Sequence, residues 1–143
     1  MTSITSLIER IEAATGGDRE LDAEIWLACT PGATRNKWSY VHKATGRECT
    51  VDETRDATGR FITVPSFTAS IEAALTLLPE GWWWSAGVCR RENHASVGSE
   101  IGTVEGELIF ETFGATAPLA LLAAILRARQ AAQSGQAQTE ARG

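Results

Sequence analysis

The chain has 143 residues, 43% of them hydrophobic and 22% charged, with a formal net charge of -5. That size and balance suit a single globular domain. They argue against a general nucleic-acid binder, which meets phosphates with clustered Lys and Arg. No apolar run approaches the roughly 18 residues that a membrane span needs. The opening MTSITSLIER lacks the basic start and long apolar stretch of a secretory signal. Cys29, Cys49 and Cys89 lie far apart and form no C-x-x-C pair. Reduced thiols in a cytoplasm are the expectation, and His42 and His94 offer little toward a zinc site.

Residues 3–14 read as a first helix. Ser3 or Ser6 is placed to cap it, and Ile4, Leu7, Ile8 and Ile11 fall on one apolar stripe. Gly16 and Gly17 end it. Asp18 then caps a second helix over 19–28, with Leu21, Ile25 and Ala28 on one face and acidic residues suited to the positive end of the helix dipole. Pro31 and Gly32 stop it.

Residues 33–64 support two readings. In one, the alternation of Trp38, Tyr40 and His42 makes a strand that Glu48–Val51 rejoins after the turn at Thr45–Gly46. In the other they form a long surface loop anchored by aromatics. The spacing of Ile71, Ala74, Leu75 and Leu78 predicts a helix over 66–78, capped by Ser66 or Thr68 and stopped at Pro79–Gly81. Trp82, Trp83 and Trp84 open a strand running to Arg91. Residues 92–103 carry the turn formers Asn93, Gly98 and Gly102 around a short strand at 95–97. A further strand is expected over 105–112, completing an antiparallel meander. Thr116 caps a last helix to Ala132, with Pro118 in its first turn. Its apolar surface is broad enough to be either deeply buried or shared with another chain. The domain therefore spans 1–132, with 133–143 a disordered polar tail. The expected class is α+β: an α–β–α layered sandwich whose small, mainly antiparallel sheet is covered by helices.

Three blocks, LIERIEAATGGDRELDAEI at 7–25, FTASIEAALTLLPEGWWW at 67–84 and ATAPLALLAAILRAR at 115–129, resemble in that order the small phage and prophage proteins of the phage ABA sandwich domain family. The resemblance is spread over these three blocks. It implies the same layered fold and carries over no catalytic residue. The stretch 30–64 departs most from the family pattern.

The candidate ligand-binding residues are Trp82, Trp83 and Trp84 with Arg90, Arg91, Asn93 and His94, and Arg35 and Lys37 as helpers from the preceding loop. Indole faces stack on nucleobases, and Arg forks grip phosphate or carboxylate. The plainer alternatives are core filling for the tryptophans and a solvated strand end for the basic group. No Walker, Rossmann or G-x-S-x-G spacing is present. Asp52, Glu53 and Asp56 do not match a calcium loop and read as a solvated acidic turn. No cofactor and no metal are expected.

These features point to a non-enzymatic, phage-encoded accessory protein in the cytoplasm of an infected bacterium. It would sequester a small anionic, nucleotide-type immune messenger and form a homo-oligomer. The alternatives are direct inhibition of a host defence protein, a small nucleotide hydrolase using His42 or His94, and a virion accessory protein.

Overall fold

The computed structural model describes residues 3–99 and 108–142, and the side chains of 3–99 and 109–133. The turn former Gly102 and the first part of the strand expected over 105–112 lie outside the described residues. In chain order the elements are α1 (Ile4–Ala13), α2 (Arg19–Cys29), β1 (Thr34–Val41), β2 (Glu48–Arg55), α3 (Ile71–Leu75), β3 (Trp82–Cys89), β4 (Glu92–Ser99), β5 (Leu108–Gly114) and α4 (Ala117–Arg142). The class is α+β, with small antiparallel sheets and helices packed on one of them.

The first two helices follow their sequence signals. The Ser3 hydroxyl accepts from the Ser6 N–H, and Asp18 accepts from the N–H groups of Glu20 and Leu21 at 3.0 and 3.1 Å. Leu7, Ile8 and Ile11 of α1 and Leu21, Ala23, Ile25 and Trp26 of α2 are buried.

The middle helix is shorter than its apolar spacing predicts. Segment 64–69 is held from outside, by the first turn of α2. Buried Asp22 accepts from both the N–H and the hydroxyl of Thr68, each at 2.8 Å. Arg19 bonds Asp22 at 3.1 Å and the Val64 carbonyl at 2.8 Å. Thr68 therefore serves α2 and not a cap of its own. The helix begins only after Ser70, whose hydroxyl accepts from the Ala73 N–H at 3.3 Å. Beyond its end, the Leu77 carbonyl accepts from Arg129 at 3.0 Å. Ala74 is fully buried, whereas Ile71, Leu75 and Leu78 are only partly so.

The alternation in 33–55 is a β-hairpin. β1 pairs antiparallel with β2 in unbroken register from Thr34↔Arg55 to Val41↔Glu48. The second sheet is a meander of order β3-β4-β5. Gly98, expected in a turn, lies within β4 opposite Trp83, and the turn falls at Arg90–Arg91 instead.

α4 is the centre of the molecule. The Thr116 hydroxyl accepts from the Leu119 N–H, as the cap signal predicts. Every residue from Leu119 to Leu126 is inaccessible to solvent. The three-stranded sheet lies against one side of α4, and α1 and α3 lie against the others. The broad apolar surface is thus used within the chain, so it no longer argues for a partner. At the corner entering α4, a Cβ on Gly114 would come within 2.7 Å of the Ala120 backbone nitrogen. α4 continues past Ala132 to Arg142, through residues expected as a disordered tail.

Arg129 of α4 ties three helices together. Its guanidinium donates to the carbonyls of Leu77, just past α3, and Cys29, the last residue of α2, at 3.0 and 3.4 Å. A cation at these ends meets the negative pole of the helix dipole and the carbonyls that lack helical partners.

Candidate binding face

Strand alternation sorts the predicted residues of the meander onto two faces. Trp82, Trp84, Ala86 and Val88 share a face with Ala95, Val97 and Ser99 of β4 and with Phe110 and Thr112 of β5. This face meets α4: Ala95 and Val97 are fully buried, and the Thr112 hydroxyl donates to the Ala120 carbonyl. Trp82 stacks on Phe110 at 6.2 Å and packs against the core. Trp84 lies on the same face but on an edge strand, and stays 44% exposed.

The opposite face carries Trp83, Ser85 and Gly87 of β3, Glu92, His94, Ser96 and Gly98 of β4, and Ile109, Glu111 and Phe113 of β5. Trp83 lies over Gly98 so closely that a Cβ there would sit 2.3 Å from the indole ring. His94 and Phe113, opposite each other in register, hold their rings 5.1 Å apart. Ile109 and Phe113 are 47% and 52% exposed. Neither was singled out in the sequence. Their signal was the alternation of 108–113, which leaves two large apolar side chains on the side away from the helix.

Arg90 and Arg91 form the two-residue turn between β3 and β4. Both adopt positive φ, 51° and 69°. Such turns demand the left-handed conformation at both positions and normally use Asn-Gly. Two consecutive arginines there are strained, and strain of this kind gathers at functional sites. Both are exposed. Asn93 is committed elsewhere, its side-chain amide donating to the Ala115 carbonyl at 3.0 Å.

The tryptophans and arginines therefore do not form one cluster. About seven residue steps of extended strand separate Trp83 from Arg90, roughly 23 Å at about 3.3 Å per residue. The aromatic groups nearest Arg90 and Arg91 in register are His94 and Phe113. Arg35 and Lys37 stand on the other sheet. Arg35 donates to both carboxylate oxygens of Asp52 (2.7 and 3.0 Å) and of Glu20 (2.7 and 2.9 Å), and Lys37 donates to Glu20 at 2.9 Å. These bonds, from Arg35 first, pull the Glu20 carboxyl down to about 2 and hold Asp52 below the usual carboxylate range. The pair is thus neutralised at the foot of the β1–β2 hairpin.

Comparison with models of protein families, with curated proteins and with solved structures found no match.

At the same hairpin foot is a cleft of about 290 Å³, lined by Arg19, Ala23, Asp52, Thr54, Ile62, Thr63 and Val64. The Arg19 and Asp52 groups in it are already engaged by Asp22, Val64 and Arg35. Among the described residues, no three His, Cys, Asp or Glu side chains group as metal ligands. Asp56 instead closes its own turn, accepting from the Thr58 hydroxyl and nearby N–H groups, which lower its pKa. Cys29, Cys49 and Cys89 are free thiols, and burial pushes Cys29 up. No helix among the described residues is long and apolar enough to cross a membrane.

Proposed function

We propose that this protein acts by binding, through the open face of the three-stranded sheet, and that its ligand is a small anion carrying a flat ring, such as a nucleotide or cyclic nucleotide messenger. The observation that carries this reading is the strained Arg90–Arg91 turn beside the His94–Phe113 pair. A ring stacks on Phe113 and His94 while the turn guanidiniums take the anionic end. Glu92 and Glu111 share this face and oppose an anion, so the arginines must engage the charge directly. The resemblance to phage accessory proteins supports a setting in which an infected bacterium's messenger is withheld from its receptor without being altered.

The test uses the turn itself. Arg90→Asn combined with Arg91→Gly removes both cations and relieves the left-handed strain. This variant should melt higher than the wild type without ligand. The wild type should be stabilised by a linear, cyclic or ADP-ribose-type nucleotide, by about 2.7 kcal/mol at 100 times its Kd, and the variant should lose that response. A nucleotide panel that leaves the wild-type melting temperature and calorimetric heat unchanged would refute the reading.

A second reading is direct binding of a host protein on the same face, favoured by the exposure of Ile109 and Phe113. It predicts a partner whose capture survives the turn substitutions but not Phe113→Ser.

A further inference from the structure

The β1–β2 hairpin stands apart from the meander and meets the rest of the chain chiefly at its foot. There Arg35 and Lys37 reach Glu20, and Phe61 and Ile62 continue the outer edge of β2. Seven of the eight residues of β1 are exposed. Trp38 and Tyr40 are 44% and 43% exposed, with their rings 5.5 Å apart, and Val41 is 63% exposed. An isolated two-stranded ribbon is marginal in water, and this one presents an aromatic face.

Among the described residues no strand pairs with the outer edge of β1, and the groups it presents can be read from the register. His42 donates to the Arg47 carbonyl at 2.8 Å, so the even-numbered residues of β1 bond inward to β2. The N–H and C=O groups of Arg35, Lys37, Ser39 and Val41 then point outward. No proline or bulge interrupts this edge. On the far side, the outer edge of β2 is covered at its base by Phe61 and Ile62.

We infer that this edge pairs with β1 of a second copy, antiparallel across a two-fold axis, to make a continuous four-stranded sheet. The charges select the register. Pairing centred on Lys37 would set that cation against itself. Pairing centred on Ser39 would set Arg35 against Lys43 of the second copy. The register between them, centred on Trp38, places no charge opposite a like charge. It sets Lys37 against Ser39, Arg35 against Val41 and Asn36 against Tyr40 of the second copy. Trp38 meets Trp38 of the second copy at a non-hydrogen-bonded position, where cross-strand side chains approach most closely. About eight new ladder bonds form from the outward groups of the two strands. The strand edge is self-complementary, which is what an isologous interface requires. This inference does not depend on the proposed ligand.

Light scattering at tens of micromolar should return twice the 15.4 kDa chain mass for the wild type. Ser39→Pro deletes an outward N–H without touching the β1–β2 ladder, since proline is tolerated at such edge positions. It should give a monomer that melts cooperatively. Trp38→Glu, which sets two acids against each other at the axis, should do the same and decides the matter if the proline variant does not fold. A wild-type mass of 15.4 kDa, or a dimer that persists in a folded Ser39→Pro or Trp38→Glu protein, overturns the inference.

Discussion

Thr68 shows how one side chain redirects a segment. Its hydroxyl and N–H both reach the buried Asp22 carboxylate, and the Asp18 N–H donates back to the hydroxyl at 2.7 Å. A buried carboxylate must be fully hydrogen-bonded to be tolerated. Thr68→Val keeps the shape and removes the hydroxyl, leaving Asp22 short of a donor. The expected cost is about 1–3 kcal/mol in urea denaturation. Thr68→Ser should recover most of it. A loss below about 0.5 kcal/mol, within the surface range, would mean that water replaces the hydroxyl. Gly98 is the complementary case, where absence of a side chain lets Trp83 lie on the strand.

At the scale of elements, the β1–β2 hairpin is fastened to α2 by Glu20. Its folded pKa of about 2 lies below the ordinary 4.5. The stabilisation is therefore complete above pH 4.5 and is lost as pH falls from there toward 2. The Glu20 side chain is about half exposed, so solvent screening keeps the contribution below about 1 kcal/mol. Glu20→Gln should lower stability slightly at pH 7 and flatten the acid limb between those values. High salt should shrink the difference between the two proteins. An unchanged acid limb in the variant would show that Glu20 does not fasten the hairpin to α2.

The whole molecule is organised on α4, which has the three-stranded sheet on one side and helices on the others. Leu122 sits at its middle with no exposure, whereas Leu75 is partly exposed at the end of α3. Leu122→Ala should cost about 2–5 kcal/mol, the range for a fully buried leucine. Leu75→Ala should cost clearly less, because part of its surface already faces water. Chemical denaturation of the two variants under identical conditions checks the order, and equal losses would mean that α3 is buried more deeply than the structure has it.

Local signals were enough for the parts that local physics governs. Ser3, Asp18 and Thr116 act as caps because their side chains accept from N–H groups two or three residues on. The alternation of β1 and of β5 is that of strands because successive side chains point to opposite faces. What the sequence left open depended on partners distant along the chain. The apolar spacing of 66–78 is helical, yet Asp22, 46 residues from Thr68, claims its first turn. The run Trp82–Trp84 looks like one aromatic cluster, yet the pleat sends Trp83 to the open face and its neighbours toward α4. Arg35 and Lys37 look available for a ligand, and only the fold brings Glu20 and Asp52 to neutralise them. Where elements begin and which face of each is apolar follow from periodicity and capping, which are written along the chain. Which polar groups are spent on each other and which remain for a partner is settled in the folded chain, because hydrogen bonds and ion pairs depend on proximity in space.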